Sequence, residues 1–338
     1  MSIWWNPAEL LSHRCNFNFV IGNRGGGKTY NAKKQAIKRF KKNKQQFIYL
    51  RRYQTELDTM EDFWGDIRND EDLLKKFPDL ELSQKGDKFY INGELAGYAI
   101  ALSTSTKLKS VPFPLVTLII FDEYIIDKGR LTYLRNEAQV FLEFYDTVAR
   151  MRNNVIALFL GNAISIVNPY FNYFNIKPDL NKRFTKDKTR GICIEFYFNQ
   201  EFIEQKEALK FGKLIKDTAY GAYNLQNKFL RDSDSFIKDR PATADFKLWQ
   251  FILNGQKFSL WKDRREGKFY IDNNYESNFG YYRTMVLDPN EMEDTDKSHT
   301  LLKKNSVVFK RLKQSLEMGD LFFNSQTTKH AFQDLLLT

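Results

Sequence analysis

Two cysteines, Cys15 and Cys193, are too few for a disulfide scaffold or a cysteine-rich metal centre, so the expected setting is a reducing interior. The chain opens MSIWWNPAEL, without a basic stretch leading into an apolar run and a small-residue cleavage site. No secretory signal is expected from that pattern. No apolar run approaches the roughly 20 residues that cross a bilayer; the strongest, Leu115 to Phe121, runs into two carboxylates. There is no fixed-period repeat and no low-complexity tract. Acids are in deficit, 42 Asp and Glu against 52 Lys and Arg, a formal charge of +10. That excess suits a polyanionic partner but names none. Apolar content is abundant by contrast. With 42% hydrophobic residues, 30 Phe and 17 Tyr in 338 residues, one or two packed domains are expected rather than a disordered chain.

The first half alternates short apolar runs with helical stripes. Phe17 to Ile21 reads as a buried strand, Gly22 to Gly27 as a tight loop, and Lys28 to Phe40 as a helix burying Ala32, Ala36, Ile37 and Phe40. Phe47 to Leu50 is a second strand. Phe89 to Ile91 and Tyr98 to Ile100 flank the turn signal Asn92-Gly93, with the return strand starting late. Leu115 to Phe121 has the near-continuous apolar character of a strand covered on both faces at the centre of a parallel sheet. A helix through Val140, Phe141, Phe144 and Val148 ends near Arg150, and Val155 to Leu160 is a further strand. These elements predict a three-layer α/β domain over residues 1–200. Residues 201–235 read as a polar, partly helical connector. From 236 a smaller α+β domain is expected. Its antiparallel meander runs through Phe246 to Leu253, the turn Asn254-Gly255, Phe258 to Trp261, and Phe269 to Ile271, with helices near Val307 to Leu316 and Ala331 to Leu337.

Gly22-Asn23-Arg24-Gly25-Gly26-Gly27-Lys28-Thr29 fits G-x-x-x-x-G-K-[ST] in full, between a strand and a helix. Glycines let the backbone turn its N–H groups onto phosphates, and the helix amino terminus adds positive potential there. Lys28 is expected to reach the β- and γ-phosphates of ATP, and Thr29 to ligate Mg²⁺. Asp122, at the end of Leu118-Ile119-Ile120-Phe121, supplies the second Mg²⁺ contact, and Glu123 can polarise the attacking water. Asn162 either emerges beside Asp122 to sense the γ-phosphate or is an ordinary turn residue. Arg150 and Arg152 either reach a neighbour's nucleotide or complement a helix carboxyl end.

Lys33, Lys34, Lys38, Arg39, Lys41, Lys42 and Lys44 form a run without an acid, followed by Arg51 and Arg52. This is either a solvated helix face or a phosphate-binding one. The segment Ser103 to Ser110, with Lys107 and Lys109, mixes short hydroxyls with lysines. It reads as a sequence-neutral contact for a phosphate backbone.

Several stretches together carry a family resemblance. They are the P-loop with Phe19-Val20-Ile21 before it, Gln46-Phe47-Ile48-Tyr49-Leu50-Arg51-Arg52-Tyr53, Ile120-Phe121-Asp122-Glu123, and Asp146-Thr147-Val148-Ala149-Arg150. Asn168-Pro169-Tyr170-Phe171, Asn181-Lys182-Arg183-Phe184, Phe211-Gly212-Lys213-Leu214-Ile215 and Gly267-Lys268-Phe269-Tyr270-Ile271-Asp272 complete the set. In this order the chain resembles the DNA-packaging ATPases of phi29-like bacteriophages. The resemblance implies an additional-strand P-loop ATPase related to large terminases and FtsK/HerA motors. It also implies a carboxyl-terminal ribonuclease H-like domain without a nuclease site. By the same resemblance Arg150, not Arg152, is the trans-acting arginine, Lys107/Lys109 fall at a DNA-contacting position, and Arg24 keeps the family's P-loop arginine. Its implied partners are a homo-oligomeric ring, a pentamer in the family, the portal (connector) of an empty prohead, and a structural RNA. The implied location is the host cytoplasm and, transiently, the portal vertex, but not the mature virion.

Overall fold

A computed structural model describes residues 4–336 except 127–131, 164–167, 175, 177, 180–181, 217, 219–235, 254, 278–283, 288–298 and 304–305. The chain divides into two compact units, Met1–Arg231 and Asp232–Thr338. Most of the segment expected as a connector, and Asn254 of the expected turn, lie outside the described residues.

Unit 1 is built on nine strands: β1 (Phe17–Gly22), β2 (Gln46–Arg51), β3 (Leu82–Lys85), β4 (Lys88–Ile91), β5 (Glu94–Ala101), β6 (Val116–Asp122), β7 (Ile156–Asn162), β8 (Phe184–Asp187) and β9 (Ile192–Tyr197). Their order is β3-β4-β5-β2-β6-β7-β1-β9-β8. The six central strands run parallel, and β3, β4 and β8 add antiparallel edges. Every residue of β6 is buried, because the period-2 pleat sends its side chains into apolar layers on both sides. Phe19 and Ile21 of β1 join one core and Val20 the other.

Helix α1 (Pro7–Ser12) precedes β1, and α2 (Lys28–Asn43) follows it. As the periodicity predicts, α2 buries Ala32, Ala36, Ile37 and Phe40; these join the core on one face of the sheet. Two short helices follow, α3 (Gln54–Asp58) and α4 (Glu71–Lys76). Helix α5 (Glu137–Ala149) buries Phe141, Phe144 and Val148 in the opposite core. The layers are therefore helix, sheet, helix. Helices α6 (Pro169–Tyr173), α7 (Gln200–Ala208) and α8 (Lys210–Ile215) complete the unit.

Three local expectations change. The strand after Asn92-Gly93 starts at once, at Glu94, because both turn residues take positive φ, 51° and 75°, as a two-residue hairpin turn requires. Leu115 stands outside β6, with 53% of its surface exposed. The basic run on α2 divides: Lys38 and Lys42 are exposed, while four other lysines are engaged by acids. Lys33 is buried and donates to the Phe63 carbonyl and Asp66, Lys34 pairs with Asp70 and Asp72, Lys41 with Asp79, and Lys44 with Glu94. Those acids arrive from the segment 62–94, which the local sequence of α2 cannot reveal.

Unit 2 contains a six-stranded sheet: β10 (Phe246–Leu253), β11 (Gln256–Lys262), β12 (Phe269–Asp272), β13 (Thr284–Val286), β14 (His299–Leu301) and β15 (Leu321–Phe323). The order is β14-β13-β10-β11-β12-β15. The expected meander β10-β11-β12 is antiparallel, while β13, β14 and β15 each add in parallel. Helices α9 (Val307–Glu317) and α10 (Gln326–Leu336) follow. Val308, Phe309, Leu312, Leu316 and Phe332 pack into a separate core with Phe251, Phe258 and Leu260.

Candidate active site

The P-loop leaves β1 at Gly22 and enters α2 at Lys28. Gly25 and Gly27 have φ of 81° and 79°, a left-handed backbone that glycine adopts without steric cost. A Cβ on Gly27 would stand 3.4 Å from Trp4, and one on Gly22 2.9 Å from the Tyr197 carbonyl. The loop is held from outside as well. Trp5 N–H donates to the Gly26 carbonyl at 3.0 Å, and the Lys206 ammonium, from α7, to the Arg24 carbonyl at 2.8 Å.

Lys28 is buried and donates to the Gly22 and Asn23 carbonyls and to Asn162 Oδ1, at 3.2, 2.7 and 3.1 Å. Burial brings its pKa down to about 7, opposed by the nearby Asp122 carboxylate. Thr29 Oγ1 donates to Asp122 Oδ2 at 2.9 Å, and the Tyr49 hydroxyl donates to the same oxygen at 3.0 Å. Burial pushes the Asp122 carboxyl up, opposed first by Arg51 and then by the Thr29 hydrogen bond. A hydroxyl and a carboxylate oxygen converging beside a lysine at a glycine cradle form a hard oxygen donor set. They fit Mg²⁺ carried by a nucleotide polyphosphate.

Strand order explains the convergence. β7 lies between the P-loop strand β1 and the acidic strand β6. Asn162 at its end stands in register with Gly22, and Asp122 with Leu160. Asn162 therefore meets Lys28 from the inserted strand. Glu123 follows Asp122 with φ of 55°, and its carboxylate pairs with Arg51 at 2.7 Å. Arg51 also binds Glu56 at 2.7 Å and stands 4.0 Å from Asp122. Tyr49 and Arg51 were missed as site residues. Their signal is position at the carboxyl end of β2, legible only once β2 is known to flank β6.

Arg150 and Arg152 separate sharply. The Arg152 guanidinium donates to four carbonyls, of Phe113, Pro114, Val116 and Val148, at 2.6–2.8 Å. It ties the end of α5 to the start of β6. Arg150 is exposed, with backbone φ of 49° and ψ of −121°, beside Met151 at 98% exposure. Lys107 and Lys109 are exposed on and just after a 3₁₀ segment, Leu102–Leu108, and Lys109 lies 3.4 Å from Glu143. The hydroxyls of Thr104 and Ser105 bond carbonyls of their own turn instead of pointing outward. Those two hydroxyls are therefore committed to the fold of the segment, and its exposed lysines remain at the surface.

P-loop, inserted strand, buried aspartate and adjoining glutamate together define a P-loop ATPase of the additional-strand class. Residues 1–337 match the family described as Podovirus DNA encapsidation protein (Gp16), and the chain belongs to that family. It is 37% identical over 336 residues to the DNA packaging protein of Bacillus phage phi29, covering 99% of this chain and 97% of that one. With the DNA packaging protein of Bacillus phage B103 the identity is 38% over 317 residues, 94% and 95% of the two chains. Among solved structures, a chain of the bacteriophage phi29 viral genome packaging motor assembly superposes with a TM-score of 0.77, 36% identity and 99% coverage of both chains. The N-terminal domain of the phi29 DNA packaging ATPase matches 60% of this chain and all of its own length, at 44% identity and a TM-score of 0.54.

Proposed function

We propose that this protein hydrolyses ATP to drive double-stranded DNA into a prohead, working as a ring of identical subunits at the portal. The observation that carries the reading is the meeting of Lys28, Asn162, Thr29 and Asp122 across three adjacent strand ends. In this reading Gly22 to Thr29 cradle the triphosphate and Lys28 balances its terminal charge. Thr29 and Asp122 hold Mg²⁺, which neutralises charge on the β- and γ-oxygens. Asn162 senses the γ-phosphate and Glu123 takes the proton of the attacking water. Arg150 reaches the active site of the adjacent subunit. Its exposure at the end of a helix pinned by Arg152 supports that role. Lys107 and Lys109 contact the DNA backbone. A ring of five, a bridging structural RNA, a host-cytoplasm location and a ribonuclease H-like second unit without nuclease activity belong to the same reading. The relatives' names and the match to a packaging motor assembly support its general frame.

The test is ATP turnover with double-stranded DNA, with single-stranded DNA and with neither, alongside portal-bearing proheads. Turnover stimulated by double-stranded DNA and encapsidation of it in the presence of ATP are expected. Equal stimulation by single strands with no encapsidation would instead mark a helicase-like enzyme.

A further inference from the structure

The tandem arginines at the end of β2 and just past it, Arg51 and Arg52, do different things. On an extended backbone successive side chains point to opposite sides. Arg51 faces Glu123 and Glu56, and Arg52 enters the core beneath, with 1% of its surface exposed. There its guanidinium forms a two-pronged pair with Glu137, Nε to Oε2 at 2.7 Å and Nη2 to Oε1 at 3.0 Å. The remaining donors go to the main chain of the acidic strand's exit. Nη1 donates to the Glu123 carbonyl at 3.2 Å and Nη2 to the Tyr124 carbonyl at 2.7 Å. Glu137 is equally buried, and it also accepts from the Tyr170 hydroxyl and the Leu134 N–H, at 3.0 and 2.9 Å.

Two features argue against a pair kept for stability alone. A buried ion pair recovers little more than its desolvation cost, and apolar side chains of similar volume replace it without loss in well-studied cases. Its surplus donors, moreover, clamp the peptide group that follows Glu123 and the next one along, just where Glu123 takes a left-handed backbone at φ 55°. Such a conformation persists where surroundings over-determine it. Glu137 is also the first residue of α5, the helix that ends at Arg150.

We propose that Arg52, locked in place by Glu137, is a positioning residue for hydrolysis. It holds the Glu123 backbone in the left-handed turn that aims the carboxylate, and it ties that turn to the helix carrying Arg150. The inference rests on the reading of Glu123 as the base for water.

The experiment compares the full-length wild type with Arg52→Lys, with the paired apolar replacement Arg52→Met/Glu137→Leu, and with Glu123→Gln. Thermal unfolding, ATP affinity and steady-state turnover are read for each. Arg52→Lys keeps the charge but loses the fork. It should retain nucleotide affinity and KM while kcat falls by roughly 10²-fold, the scale of a misplacement of about 1 Å. The apolar pair should melt close to wild type and bind ATP, with the same loss of kcat. The decisive measurement is a cycle: in a Glu123→Gln background, Arg52→Lys should remove little further turnover, because it acts through the missing carboxylate. Wild-type kcat in Arg52→Lys, or in a folded apolar pair, would overturn the proposal, as would full additivity in the cycle. An apolar pair that does not fold leaves the decision to Arg52→Lys and the cycle. No turnover by wild type would instead defeat the ATPase reading, and normal turnover by Glu123→Gln the assignment of the base.

Discussion

The Glu123 carboxylate is held by the Arg51 guanidinium at 2.7 Å, while the neighbouring Asp122 is buried between Thr29 and Tyr49. Adjacent acids thus have separate tasks. Asp122 is committed to the interior and the P-loop, and Glu123 turns outward with about half of its side chain exposed. With Glu123 as the proposed base, Glu123→Gln removes the proton acceptor and leaves Lys28, Thr29 and Asp122 in place. Equilibrium binding of ATP should stay near wild type, and turnover should fall at least roughly 10²-fold, the scale of a lost general base. Normal turnover in that variant would remove Glu123 from the mechanism.

Arg150 occupies a sparsely populated backbone region that costs on the order of 1–3 kcal/mol. It is maintained by its own N–H bond to the Asp146 carbonyl at 2.7 Å and by the four carbonyl contacts of Arg152. A trans-acting arginine supplies about 10³–10⁵ in rate in the best-characterised cases. Preparations of Arg150→Ala and of Lys28→Ala should each be nearly inactive. Mixed and co-assembled, they should regain turnover where an intact Arg150 meets an intact Lys28. Confirmed co-assembly without recovery would place Arg150 within its own subunit's chemistry or outside the chemistry altogether.

Much of the nucleotide site was legible in order along the chain. The P-loop is a contiguous signature, and an apolar strand running into Asp122-Glu123 is nearly one. Asn162 was visible as a candidate, but its meeting with Lys28 needed the register of β7 against β1. Arg51 and Arg52 read as free positive charge because their partners, Glu123 and Glu137, lie 72 and 85 residues away. Lys33 and Lys34 on α2 likewise have partners, Asp66 and Asp70, more than thirty residues along the chain. Strands β13, β14 and β15, three residues each, are too short for a period of two to register. Contacts between distant segments, not local pattern, separate charge that binds from charge that folds.

Gly161, on β7, is fixed by packing. A Cβ there would stand 2.6 Å from Tyr124 Cε1 and 3.0 Å from Ile125 Cδ1, and both side chains are buried. Gly161→Ala must displace the residue next to Glu123. Overpacking of this kind costs about 1–3 kcal/mol. The denaturant midpoint should fall with an unchanged slope, and turnover should drop more than ATP affinity. Wild-type stability would show that Tyr124 has room to move.

The second unit should not cleave DNA. Two-metal phosphodiester cleavage needs carboxylates converging on ions about 4 Å apart. The middle of β10 offers Gln250, which pairs in register with Ser259 on β11, and no acid occurs anywhere in that strand. Asp272 stands opposite Ser259 on β12, whereas Asp263 comes four residues beyond Ser259. At 3.2–3.4 Å per residue, that puts the two roughly 13 Å apart along the hairpin. Each is also already engaged. Asp263 accepts from the Thr243 hydroxyl and from the Arg265 and Glu266 N–H groups. Asp272 pairs with Arg240 at 3.0 Å and accepts from the Trp261 indole N–H at 2.9 Å. Among the described residues no group of three or more His, Cys, Asp or Glu is placed to hold a metal ion. The nearby cations are partly engaged too, with Arg264 over the Phe246 ring and Lys268 paired with Glu266. The full-length protein, incubated with supercoiled plasmid and Mn²⁺, should nick it no faster than buffer, and Asp263→Ala and Asp272→Ala should change nothing. Metal-dependent nicking lost in either variant would make the second unit a working nuclease.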